Sequence, residues 1–174
     1  RRQRQMCIRD RGPAENYLDR NAGSMVGLYK STAEELYFPY VRPQENGHHT
    51  DTRWVSLSTG KKGLLIQADN TIGFNALRNS IEDFDDEEAT GLSRQWSNFT
   101  PEQVANHDEA AAKNVLRRQH HINDITPRDF VEVCVDLKQQ GVAGYDSWGS
   151  RPEPAYTLPA NREYNWGFTL IPLK

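Results

Sequence analysis

The run FVEVCVDLKQ, residues 130–139, constrains the fold more than any other stretch of this chain. Val131, Val133, Val135 and Leu137 alternate with Glu132, Asp136 and Lys138. A helix would scatter those apolar side chains around its axis, whereas a strand places them all on one face. EYNWGFTLIPL (163–173) repeats the pattern with Tyr164, Trp166, Phe168 and Leu170. TDTRWVSLS (50–58) alternates after a turn signal at Asn46-Gly47, and GLLIQAD (63–69) is a short apolar run between Gly and Asp-Asn. A helix is predicted over TPEQVANHDEAAAKNVLRRQ (100–119). Thr100 suits the N-cap, Pro101 the first helical position and Gln103 a capping box, and acids precede bases as the helix dipole favours. One helix among alternating strands joined by Pro/Gly turns predicts an all-β sandwich with decoration.

A chain of 174 residues is long enough for one domain. Mean hydropathy is −0.82 and only 36% of residues are hydrophobic, which is lean for a chain that must close its own core. That leanness fits a piece of something larger, or a domain with polar insertions. The segment 77–97 reads as such an insertion, an acidic, solvated one: Glu82, Asp83, Asp85, Asp86, Glu87 and Glu88 crowd together without the spacing or central Gly of a calcium loop. The opening RRQRQMCIRDR holds five arginines and no periodicity, so residues 1–11 read as a disordered or non-native arm. MCIRDR also looks like translated adaptor sequence, which places the expected natural start near Gly12. A formal charge of −3, with no basic stripe and interleaved aromatics, argues against nucleic acid. No apolar run approaches the roughly 18 residues of a membrane helix, and no signal-peptide core appears. The compartment stays open.

Few residues offer chemistry. His107, His120 and His121 lack the spacing of a zinc site, and His48-His49 reads as structural or surface. Cys7 and Cys134 form neither a disulfide framework nor a metal motif. Glu15, Glu34 and Glu35 are carboxylates, but nothing in the sequence sets two of them about 5–5.5 Å apart as a retaining glycosidase requires. Asp19-Arg20 reads as an internal ion pair. The feature that stands out is GVAGYDSWGSRPEPAY, residues 141–156, where Trp148 sits in a loop of Gly, Asp, Ser and Pro. Gly141, Gly144 and Gly149 permit positive φ or close approach, and Asp146-Ser147 suits side-chain-to-backbone turns. Two readings of Trp148 stand: a ring folded back over the end of the sandwich, or a platform on which the C–H face of a sugar stacks.

GPAENYLDR, PYVRPQENGHHTDTRWVSL, GLLIQAD, HHINDI, VCVDLKQQGVAGYDSWG and YNWGFTLIPL resemble, in this order, the C-terminal (small-chain, fifth-domain) region of large bacterial β-galactosidases of glycoside hydrolase family two. The resemblance spans about residues 12–171. It implies that 12–174 is the C-terminal portion of a β-supersandwich of galactose-mutarotase type, all-β, carrying one helix and the acidic insertion. It also implies a parent enzyme that hydrolyses terminal β-D-galactosides such as lactose with retention. Trp148 would be an apolar wall of the sugar site, on a loop supported by Gly144, Asp146, Ser147 and Gly149. No catalytic residue and no metal ligand would lie in this chain. The catalytic glutamates and a magnesium ion would belong to a TIM-barrel domain elsewhere, and the fragment alone would be inactive. Expected partners are the galactoside, that barrel and further copies in a homo-oligomer, with no nucleic acid or membrane. Where the family has GGDDSWG this chain has AGYDSWG, so Ala143 stands for a Gly and Tyr145 for an Asp. The alternatives are a self-sufficient carbohydrate-binding module and a structural or assembly domain. A stand-alone mutarotase finds no counterpart here for its catalytic His and Glu.

Overall fold

A computed structural model describes residues 5–41, 44–84, 122, 125–146 and 149–174. The chain forms two compact units, one of 1–38, 46–78 and 129–174, the other of 39–45 and 79–128.

The first unit is all-β. Its strands are β1 (Gln5–Gly12), β2 (Met25–Thr32), β3 (His49–Thr59), β4 (Lys62–Leu77), β5 (Glu132–Asp136) and β6 (Phe168–Leu173). They form one antiparallel sheet in the order β2-β1-β3-β4, and both β5 and β6 pair with the far edge of β4. β5 takes Gly73–Leu77 of β4, and β6 takes Gly63–Ala68. β3 and β4 join through Gly60-Lys61, with Gly60 at φ 62°, the left-handed backbone that a two-residue hairpin turn requires.

Register explains the core. Cys7, Leu57 and Leu64 lie side by side across β1, β3 and β4, and so do Arg9, Val55 and Ile66. Neighbours in register share a face, and Cys7, Val55 and Ile66 are all buried. Ile72, Phe74, Ala76 and Leu77 continue that core along β4. A cavity of about 330 Å³ opens beside it, lined by Met6, Cys7, Leu57, Leu64, Ala76 and Val133 among others. Burial pushes the Cys7 thiol up to about 11, so it packs as a neutral, apolar group.

Residues 5–11, read from the sequence as part of a disordered or non-native arm, lie in β1. Gln5–Gly12 is a strand flanked on both sides, because its arginines find partners inside the protein. Buried Arg9 donates to Ser31 Oγ at 2.7 Å and to the Pro13 carbonyl at 2.5 Å, and it lies over the Tyr29 ring at 5.9 Å. Asp10 accepts from Arg53 Nε at 2.5 Å and from its backbone N–H at 3.0 Å. Arg11 pairs with Asp51 at 3.5 Å. Asp51 itself sits at φ 55° where the β3–β4 register shifts. Positive composition hid a strand whose charged side chains find partners inside the protein.

Other expectations shift in detail. β4 runs on to Leu77, well beyond the apolar run that ends at residue 69. Every residue of β5 is half-buried, so its two faces differ less than the alternation suggests. The final strand begins only at Phe168 and is exposed along its whole length.

Of the second unit, the described residues include a 3-10 turn, Ile81–Phe84. Asp83 is buried, so it does not belong to a solvated acidic run. It accepts the Ser80 N–H at 3.1 Å and pairs with Arg128 through Nε and Nη2. Burial alone would raise the Asp83 carboxyl, but Arg128 together with hydrogen bonds from Ser80 and Asn79 outweighs it and holds the group below its ordinary value. Asn79 Nδ2 donates to the Thr126 carbonyl at 3.1 Å. The rest of the acidic segment (85–97), the expected helix (100–119) and His107, His120 and His121 lie outside the described residues.

Candidate functional site

The segment ENYLDR, residues 15–20, has no strand or helix period, yet its side chains reach in two directions from one place in the sheet. Glu15 accepts the Gly47 N–H at 2.6 Å. Asn16 is buried; its N–H donates to the His48 carbonyl at 2.7 Å and its Oδ1 accepts the Thr50 N–H at 3.0 Å. Tyr17 is buried and stacks on His48, ring centroids 5.6 Å apart, while the Arg20 guanidinium covers Tyr17 at 5.8 Å. The hexapeptide thus fastens the Asn46-Gly47 turn to the sheet. Gly47 has φ 71°, as the turn signal implied.

Below it the two histidines are interior residues. His49 stacks on Phe74 at 5.1 Å, and its Nδ1 lies 3.0 Å from the Gly47 carbonyl. Burial pushes His48 down to about 4. Burial, helped by the charge of Arg9, pushes His49 down to about 3. Both rings are therefore neutral packing elements at pH 7. Gly73 makes room for His48, since a Cβ at 73 would come within 2.6 Å of the ring.

Asp19 reaches the other way, to the loop. Its Oδ1 accepts the Val142 N–H at 3.1 Å and its Oδ2 the Ala143 N–H at 2.8 Å. Gly141 is buried beside it and donates to the Tyr156 carbonyl at 2.8 Å. Farther out, the Ser150 N–H donates to Asp146 Oδ1 at 3.2 Å, and the Tyr145 N–H donates to Ser150 Oγ at 3.1 Å. These two bonds tie Ser150 to Tyr145 and Asp146, just beyond the 141–143 stem. Gly144 (φ 85°) and Gly149 (φ 83°) are exposed, and open space surrounds the position of a Cβ at each. Backbone conformation, not crowding, is what selects glycine at both. Ala143 takes φ 55°, so it keeps the left-handed backbone at a strain of roughly 1–2 kcal/mol.

Of the residues singled out by sequence, the loop brings Gly144, Asp146 and Gly149 together; Ser147 and Trp148 lie outside the described residues. The remaining carboxylates serve local contacts. Glu34 pairs with Arg78 at 2.9 Å. Glu35 accepts the Thr32 N–H at 2.7 Å, and its own N–H donates back to Thr32 Oγ1 at 3.3 Å. None of the residues lining the apolar cavity beside β1 belongs to the loop. Among the described residues no group of three or more His, Cys, Asp or Glu is placed to hold a metal ion. The residue that sequence reasoning missed is Asp19. Its partners are backbone amides more than a hundred residues away, and such partners leave no mark on the sequence.

Residues 9–170 match the family model described as β-galactosidase small chain. Among curated relatives, a β-galactosidase of Priestia megaterium is 35% identical over 164 residues, 94% of this chain and 13% of that protein. A β-galactosidase of Streptococcus thermophilus is 29% identical over 93% of this chain and 13% of its own length. One from Pseudoalteromonas haloplanktis is 26% identical over 91% and 12%. The chain therefore spans about an eighth of the length of these relatives.

Proposed function

This chain belongs to the β-galactosidase small-chain family, and from that premise we propose that it supplies one wall of a galactoside-binding site completed by the rest of a larger enzyme. That enzyme hydrolyses terminal β-D-galactosides with retention of configuration, and its glutamates and magnesium ion reside outside this chain. Trp148 offers an indole face against the C–H face of the sugar, which removes apolar area from water while leaving the hydroxyls free to hydrogen-bond. Gly144, Asp146, Ser147 and Gly149 shape the loop that presents it. Orientation of the substrate, not proton transfer, is the contribution.

The observation that carries this reading is the build of the loop. Its stem is fixed at Val142 and Ala143, Ser150 is tied to Asp146, and Gly144, Tyr145 and Asp146 are exposed. A loop held this firmly and left this open suits a surface for a ligand better than a cover for its own sheet. The test is Trp148→Ala in the intact enzyme, with Trp148→Phe beside it. KM for a chromogenic galactoside should rise about tenfold or more in the first variant and less in the second. An unchanged KM in both removes the indole from the site. The purified chain alone should not turn over that substrate, and measurable hydrolysis would overturn the assignment of catalysis to other domains.

A second role, assembly, is favoured by a separate observation. β6 is exposed throughout, with Leu170 53% accessible, and Met25, Val26 and Leu28 of β2 are exposed as well. Such apolar strand surface suits burial against the remainder of the enzyme or another copy of it. A carbohydrate-binding module acting alone would instead answer galactose or lactose with a change in tryptophan fluorescence in the isolated chain.

A further inference from the structure

We propose that Asp19 is a positioning residue for galactoside binding, holding by its carboxylate the stem from which the Gly144–Gly149 loop projects; this rests on the reading of that loop given above. Two adjacent backbone N–H groups, of Val142 and Ala143, donate to the two oxygens of one carboxylate. Charge-assisted bonds of this kind fix both the distance and the direction of the peptide units they hold. The segment before them is held as well. Gly141 is tied to the Tyr156 carbonyl, and a Cβ placed on it would lie 2.6 Å from Asp19 Oδ2 and 3.0 Å from Tyr156 Cβ. The stem is thus gripped on both sides, with no space for any side chain between it and the carboxylate.

Ala143 is the second mark of that grip. Its left-handed backbone is unfavourable for an alanine, and such a conformation persists only where the surroundings over-determine it. Here its own N–H is one of the two that Asp19 accepts. The base behind Asp19 is rigid as well. Arg20 N–H donates to the Tyr17 carbonyl at 2.8 Å, closing a turn around Asp19, and Tyr17 and Asn16 are buried against His48 and the start of β3. A chain of contacts therefore runs from the core through Asn16, Tyr17 and Asp19 to Val142 and Ala143. Asp19 touches no substrate; it sets where the loop stands.

The test uses two preparations. In the 174-residue chain, amide hydrogen exchange at Val142 and Ala143 should quicken by about 10- to 100-fold on Asp19→Ala, the effect of losing charge-assisted bonds. In the intact enzyme carrying this segment, Asp19→Ala should raise KM for the chromogenic galactoside about tenfold with a smaller change in kcat. Asp19→Asn, which keeps one acceptor oxygen, should fall between it and the parent. Combining Asp19→Ala with Trp148→Ala should add little to KM beyond the larger single effect, because both act on one contact. A staple that merely stabilises the fold would lower the melting temperature and leave KM unchanged. If Trp148→Ala raises KM and Asp19→Ala does not, this inference fails and the loop reading survives. If neither moves KM, both fail. Should Asp19→Ala not fold, Gly141→Ala makes the same test by displacing an intact carboxylate, and an unchanged KM in that variant sinks the inference.

Discussion

The two halves of β4 belong to one strand and live in different environments. From Ile72 to Leu77 it is buried, paired between β3 and β5, with Phe74 inaccessible to solvent and stacked on His49. From Lys62 to Gln67 only Ile66 is buried, and its partner β6 is exposed from end to end. The difference teaches where this chain is finished. The half beneath the ENYLDR and Asn46-Gly47 segments is covered by its own residues. The half beside β6 presents apolar side chains that remain exposed among the described residues, as expected of a segment spanning about an eighth of its relatives.

The most forceful way to break this contrast is Phe74→Ala, which empties the middle of the closed half. A loss of about 3–5 kcal/mol is expected, read as a fall in the urea midpoint at constant slope. A loss below about 1 kcal/mol would show that the closed half is not closed. Acid acts on the same half. His48 and His49 titrate in the folded state at about 4 and about 3, below the ordinary value of 6.5. As pH falls, the unfolded chain takes up these protons before the folded one does. The stability they support is therefore complete above about pH 6.5 and lost progressively as pH falls toward 4, by up to about 1.4 kcal/mol per pH unit for each ring. Urea midpoints between pH 7.5 and 4.5 should show the slope, and a His48→Gln, His49→Gln variant should flatten it.

A smaller expected effect sharpens the comparison at the turn over the closed half. Gly47→Ala meets both a left-handed φ of 71° and a Cβ only 2.8 Å from the Leu36 carbonyl oxygen, so a loss of about 1–3 kcal/mol is expected in a thermal melt. The smallest lies on the open half. Leu170→Ala should change the stability of the chain by less than about 1 kcal/mol, because that side chain is itself half exposed. A loss as large as that of Phe74→Ala would erase the distinction between the halves.

The same contrast accounts for what could be read from the sequence. β3 and β5 were legible because alternation survives where a strand carries its own apolar residues. Trp166 and Phe168 also declared a strand, and their rings do approach to 5.5 Å, but alternation alone does not say whether a face is covered. β1 was hidden because Arg9 and Asp10 are buried as partners of other residues, and composition counts charges without seeing their partners. The second half of β4, NTIGFNAL, was hidden for a related reason: Gly73 and Asn75 look like breakers until His48 fills the space over one and burial encloses the other. At the candidate site the glycines at 144 and 149 were legible from loop chemistry, and Trp148 as a binding residue came from resemblance. Asp19 was legible from neither, since a carboxylate that binds main-chain amides places no requirement on the side chains it holds.

Leu77 and Glu132 face each other as the last residue of β4 and the first of β5. The chain between them thus leaves and rejoins the sheet at one rung, and within that stretch Asp83 pairs with Arg128 and Asn79 with Thr126. Doubling the length of such an appendage costs only about 0.6 kcal/mol in closure entropy. An insertion placed between Leu77 and Glu132 would therefore leave the β4–β5 ladder bonds as they are, which makes this a natural place to graft a foreign module.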